Sequence, residues 1–191
     1  MILRTIRTAA ILFFMSSFFV FANAAAPQWK IDRNKSEITF SATQNNSPIS
    51  GQFTLFTGDI FFDPTELKTS HVKITVSTGS VSTSYKQVEL TLKTADWFNV
   101  KLFKDAVFEA NQFVKVKDNQ FLAKGTLTLR DKTVPVTLNF SLEDYSKTKA
   151  RVTGSTTIKR TDFGVGQGEW SKTDAVKDNV GIQFKITATR E

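Results

Sequence analysis

Apolar side chains recur at every second residue over eight separate stretches of this chain, a spacing that restricts it to β-structure. Ile38, Phe40 and Ala42 share one face of residues 36–43, with Glu37, Thr39 and Ser41 on the other. Gly51, Phe53 and Leu55 alternate next. The phase slips at Phe56, and Gly58, Ile60 and Phe62 resume it, which predicts a bulge or bend. Val72, Ile74 and Val76 make a third face, and Ala106, Phe108 and Ala110 a fourth. Three more follow at Phe121 to Leu129, Val134 to Phe140 and, more weakly, Val152 to Ile158. The last is Val180, Ile182, Phe184, Ile186 and Ala188. Turn residues separate them: Asn45-Asn46-Ser47-Pro48, Asp63-Pro64, Asp118-Asn119 and Arg130-Asp131-Lys132.

About eight antiparallel strands, apolar on one face only, fit a sandwich or a closed barrel. An eight-stranded barrel leaves an interior that side chains fill or that one slender ligand occupies. Membrane-spanning barrels need an apolar outside, whereas Lys and Thr crowd the second face here, which favours a soluble barrel. One stretch reads both ways. Between Tyr85 and Phe103, Val88, Leu90 and Leu92 alternate like a strand, while Tyr85, Val88, Leu92 and Ala95 step like a helix.

The strands are preceded by Arg4 and Arg7, an uncharged and mostly apolar run from Ala9 to Phe21, and Ala22-Asn23-Ala24. That run is short for a membrane span, and the order of its parts is that of a secretory signal peptide. The expectation is a signal peptide at 1–24, cut before Ala25, and one mature domain at 25–191 working outside the cytoplasm. With no cysteine in the chain, neither a disulfide nor thiol catalysis is available. Of the formal charge of +7, Arg4 and Arg7 supply two, leaving +5 on the mature domain. The basic residues are scattered rather than striped, which argues against nucleic-acid binding and for a solvated surface. Of 18 Phe, five lie in the leader, and the remaining 13 exceed ordinary core needs and suit an apolar cavity wall.

Catalytic signals are sparse. His71 is the only histidine, so with no Cys a zinc site has too few ligands. A Ser-His-Asp site would need His71, and there is no Gly-x-Ser-x-Gly elbow. Asp162-Phe163-Gly164 matches a kinase tripeptide without the rest of that machinery. Gly164, Gly166 and Gly168 lack the strand–loop–helix frame of a nucleotide cradle and read as a loop before Trp170. Asp32 and Arg160 each sit where a strand meets a turn, where a charged pair can fix loop geometry at a barrel mouth. Three function classes fit these residues: a lipid carrier, a lipid hydrolase or isomerase using Asp and Arg residues, and a non-catalytic interaction module.

The motifs together resemble the YceI-like family along nearly the whole mature chain. The likeness opens with Trp29-Lys30-Ile31-Asp32, Ser36, Phe40, Gly51-Gln52-Phe53 and Asp63-Pro64. It continues through Ala95-Asp96-Trp97-Phe98, Val107-Phe108, Gly125-Thr126-Leu127-Thr128-Leu129-Arg130 and Val136. It closes on Ile158-Lys159-Arg160-Thr161-Asp162-Phe163-Gly164-Val165, Val180 and Ile182. The resemblance implies an all-β, eight-stranded antiparallel lipocalin-like barrel with a short helix over Lys86 to Lys93 beside one mouth. It also implies a bacterial periplasmic protein that holds a long-chain isoprenoid (quinone tail or polyprenyl lipid) or similar amphiphile. No catalytic residue, metal or cofactor is expected. The Gly164 to Trp170 run resembles domains associated with cytochrome b561, which implies contact with such a protein and transient contact with a membrane. Two departures stand out: Arg130-Asp131-Lys132 where the family often turns on Gly, and Tyr85-Lys86-Gln87 in place of an Arg-Asp pair before the helix. The expected tunnel is walled by Ile38, Phe40, Phe53, Leu55, Ile74, Phe98, Phe108, Leu127, Leu138 and Phe184.

Overall fold

The computed structural model of the protein describes residues 25–191, so the expected leader at 1–24 lies outside the described residues. The strand segments are β1 (Gln28–Ile31), β2 (Glu37–Gln44), β3 (Ser47–Phe53), β4 (Phe56–Phe61), β5 (His71–Ser77) and β6 (Val81–Thr83). After the one α-helix among the described residues, α1 (Lys86–Leu92), come β7 (Asp105–Lys117), β8 (Gln120–Leu129), β9 (Lys132–Tyr145), β10 (Lys149–Lys159) and β11 (Asn179–Arg190). The stretch that read both ways is helical from Lys86 to Leu92 and packs on β6. No helix among the described residues is long and apolar enough to cross a membrane.

All pairings are antiparallel, and the ring runs β1–β4–β5–β7–β8–β9–β10–β11 before β11 returns to β1. Beyond β1, β2 pairs with β11, β3 with β2, and β6 with β3. The segments β1 and β2 are therefore two halves of one strand, β3 and β4 of a second, and β5 and β6 of a third. With β7 to β11 they make a closed eight-stranded barrel, which leaves few unpaired edges.

Side-chain hydrogen bonds bridge the three interruptions. Between β1 and β2, Ser36 Oγ donates to Asp32 O at 2.7 Å and accepts from the Thr187 N–H at 3.0 Å, replacing a rung of the β11 ladder. Between β3 and β4, Ser80 Oγ accepts from the Leu55 N–H at 3.1 Å and donates to Ser77 O at 2.7 Å. This break is the predicted phase slip. It corrects one expectation: Leu55 lies in the interruption and is 48% exposed, so it does not face the interior. Between β5 and β6, buried Thr78 Oγ1 lies 2.8 Å from Phe103 O and 2.9 Å from Lys104 O.

The hairpin turns use left-handed residues as two-residue connections require. Asn45 and Asn46 have φ of 48° and 63°, Asp118 27° and Arg130 58°. Gly125 is needed for close approach: a Cβ there would strike Glu109 O, beside the irregularity at Ala110/Gln112.

Candidate functional site

Inside the barrel is an apolar cavity of about 210 Å³. Six of the ten expected tunnel residues line it: Ile38, Ile74, Phe108, Leu127, Leu138 and Phe184. They come from six different strands, and each projects inward because inward positions recur at every second residue. Phe40, Phe53 and Phe98 do not border the cavity. They form an aromatic run above it, with Phe40–Phe53 centroids 5.7 Å apart and Phe53–Phe98 5.9 Å. Leu55 is outside. The sequence reading missed Trp29, Phe62, Phe113, Ala123 and Val152, which also line the space. Phe62, Ala123 and Val152 were visible in the alternation; Trp29 and Phe113 lie beyond its clearest stretches.

The cavity is larger than the ~150 Å³ apolar cavity that accepts benzene, and it suits a short length of hydrocarbon. A broader open depression of about 830 Å³ lies on the outer wall, where Glu37, Thr39, Thr153, Ser155, Gln183 and Lys185 present the solvated face of the sheet.

One end of the barrel is sealed by aromatics. Trp29 and Phe121 are each 2% exposed. The Phe62 ring meets those of Phe113, Phe121 and Phe140 at 5.4, 5.6 and 5.7 Å. Trp29 Nε1–H donates to Phe62 O at 2.9 Å, so the buried indole N–H of this seal is satisfied. Burial first, and the Asp63 carboxylate second, hold the Tyr145 phenol above its ordinary pKa beside Trp29.

The other end is capped by segments that are not strands: residues 84–104, the β8–β9 turn and residues 160–178. Arg160 holds this cap together. Its buried guanidinium donates to Lys172 O at 2.8 Å, Val165 O and Val176 O at 2.9 Å, and Gly166 O and Lys177 O at 3.3 Å. Gly166, at φ 81°, lets its backbone approach this closely, since a Cβ would strike Arg160 Nη1. Burial lowers the Arg160 pKa and Asp178 partly offsets this, yet a guanidinium stays cationic. The expected pairing of Asp32 with Arg160 is corrected. Asp32 sits 3.1 Å from Lys35, and its N–H binds Thr187 O, whereas the Arg160 N–H binds Asp178 O near the far end of β11.

Trp97 lies at the centre of the cap. Its ring is 5.7 Å from that of Trp170 and 5.8 Å from the Arg160 guanidinium carbon. Arg130 donates to Ala95 O at 2.9 Å and to Trp97 O, which explains an Arg at a left-handed position where Gly is favoured. The Gly164 to Trp170 run also serves the cap: the Gly166 and Gln167 N–H groups donate to Asp96 O at 2.7 and 2.8 Å. Phe163, of the kinase-like tripeptide, is 1% exposed core. His71 is exposed and stacks on Phe61 at 4.5 Å. Among the described residues no three His, Cys, Asp or Glu side chains converge as metal ligands.

Residues 29–188 match the YceI-like domain. A UPF0312 protein of Pseudomonas aeruginosa is 31% identical over 167 residues, covering 83% of this chain and 87% of its own length. The crystal structure of Burkholderia cenocepacia BcnA superposes with a TM-score of 0.79 at 29% identity, covering 83% of this chain and 99% of that one. A polyisoprenoid-binding domain from Saccharophagus degradans, implicated in plant cell wall breakdown, shares the fold with a TM-score of 0.67 at 13% identity. It covers 86% of this chain and 99% of its own.

Proposed function

This chain belongs to the YceI-like domain family, and from that premise we propose that it is a non-catalytic carrier whose barrel holds the tail of an isoprenoid or similar amphiphile. The observation that carries the proposal is the apolar interior: a cavity of about 210 Å³ bounded by side chains such as Ile38, Phe108, Leu127 and Phe184. Burying hydrocarbon there yields roughly 0.8 kcal/mol per CH₂, reduced by the cost of ordering the chain. The fold shared with a polyisoprenoid-binding domain supports an isoprenoid as the cargo. No nucleophile–base pair faces the cavity, so the interior favours binding over hydrolysis or isomerisation.

The tail enters from the capped end. The opposite end is closed by packed rings and a satisfied indole, while the cap is built of turns and a short helix that can shift without breaking the barrel ladder. Export to the periplasm is part of the proposal and rests on Arg4, Arg7, the Ala9 to Phe21 run and Ala22-Asn23-Ala24. An intact mass beginning at Ala25 supports export; an uncut chain in the inner membrane refutes it.

Solvent extraction of protein purified from its own host tests the carrier reading. The expected result is close to one long-chain isoprenoid or comparable lipid per chain. Protein that arrives empty and takes up neither farnesol nor a fatty acid in vitro overturns it.

A further inference from the structure

The cap contains hydrogen-bond donors that the protein does not use. Trp97 is 7% exposed, yet its Nε1–H has no acceptor, and the buried Nε–H of Arg130 also lacks one. Both belong to one connected cluster, because Arg130 Nη1 donates to Trp97 O and the Arg160 guanidinium lies over the Trp97 ring. Among the described residues neither arginine has a carboxylate within ion-pair distance. Their hydrogen-bond partners are neutral backbone carbonyls, so two cationic charges flank Trp97 with no contact ion pair, and Asp178 acts on Arg160 only from beyond that distance.

The balance of donors and acceptors here is one-sided. The carbonyls of Ala95 and Trp97 are taken by Arg130, and those of Val165, Gly166, Lys172, Val176 and Lys177 by Arg160. What remains is donor capacity and positive charge, and Trp97 packs in the same apolar cluster as Phe108 and Val136 of the cavity wall. A hydroxyl oxygen can accept from these donors, but only as a neutral acceptor, whereas an anionic oxygen takes them with charge assistance, which about doubles the strength of each bond. An anionic oxygen needs only donors.

We infer that the Trp97–Arg130–Arg160 cap is the head-group site of this barrel and selects amphiphiles ending in an anionic oxygen group, phosphate or carboxylate. The inference rests on the carrier reading and adds the ligand's polar class to it. The Trp97 and Arg130 N–H groups supply directed bonds. Arg160 keeps its own bonds and contributes charge across the indole face.

Calorimetric titration of the full mature chain with farnesyl phosphate, farnesoic acid and farnesol, which share one tail, provides the test. Both anionic probes should bind at least tenfold more tightly than farnesol. In Trp97→Phe, which keeps an aromatic ring and removes the N–H, the ratio of anionic to farnesol affinity should fall about tenfold. Arg130→Met should lower the same ratio, and added salt should weaken the anionic probes alone. Phosphate favoured over carboxylate, or the reverse, decides which anion the site serves. Equal binding of all three by the wild type overturns the inference and leaves the carrier reading standing. So does a Trp97→Phe variant with an unchanged ratio, which means the indole N–H is satisfied by other means. If none of the three binds, the carrier reading itself fails.

Discussion

Trp29 and Trp97 stand at opposite ends of the barrel, both almost fully buried, and their indole N–H groups meet different fates. That of Trp29 donates to Phe62 O at 2.9 Å inside a shell of aromatic rings, whereas that of Trp97 has no acceptor beneath a cap tied by arginine. A buried donor left unpaired costs about 1–3 kcal/mol. The cap therefore retains polar capacity at some cost in stability, while the seal retains none. Stability is drawn from the sealed end, and the binding proposed above from the capped end of the same fold.

The largest break in this comparison should come from Arg160. Arg160→Met removes a guanidinium bonded to five backbone carbonyls and should cost roughly 3–5 kcal/mol, read from urea unfolding. Proteolysis should then begin within residues 160–178. A loss confined to a few tenths of a kcal/mol would show that the cap does not depend on this residue.

Filling the interior comes next. Ala123→Phe adds a ring to the cavity wall at a cost of about 1–3 kcal/mol, which a domain of this size should survive. It should reduce farnesol uptake at least tenfold with little change in the far-ultraviolet strand signal. Uptake that persists would place the ligand outside the barrel, for example on the outer wall.

A sharper test sets one tryptophan against the other. Trp29→Phe and Trp97→Phe lose similar ring area, but only the first strands an acceptor, Phe62 O. Trp29→Phe should therefore be the more destabilising by about 1–3 kcal/mol in ligand-free protein. Equal losses would mean that the two indoles are equally satisfied.

The smallest effect concerns pH and the sealed end. The Tyr145 pKa is raised, so the neutral phenol is favoured in the folded state. Its contribution is fully present below about pH 10, the unfolded value, and is lost as pH rises through the folded value. Wild type should lose more stability than Tyr145→Phe across that window, by less than about 1 kcal/mol.

The barrel was legible because inward residues of β8, β9 and β11 alternate without interruption, as in Val180, Ile182, Phe184, Ile186 and Ala188. Leu55 was misplaced because alternation was carried through a strand break, and only the Ser80 hydrogen bonds reveal where the ladder stops. The helix at Lys86–Leu92 could not be separated from a strand by spacing alone, since Val88 and Leu92 satisfy both periods. Arg160 stood out at a strand end, yet a carboxylate was expected as its partner. Its actual partners are backbone carbonyls, which every residue carries and no residue type advertises. The unpaired N–H of Trp97 is likewise a property of packing. The seal at Trp29 required Phe62, Phe113, Phe121 and Phe140 to meet from β7, β8, β9 and the loop after β4, which no local pattern specifies.

The contrast between the ends is tested most directly by amide hydrogen exchange on the mature chain, free and with saturating farnesyl phosphate. Protection should increase at residues 84–104 and 160–178 and along the inner strands, and stay unchanged at the sealed end around Gln28–Ile31 and 61–70. Protection that grows at the sealed end while the cap is unaffected would contradict the account.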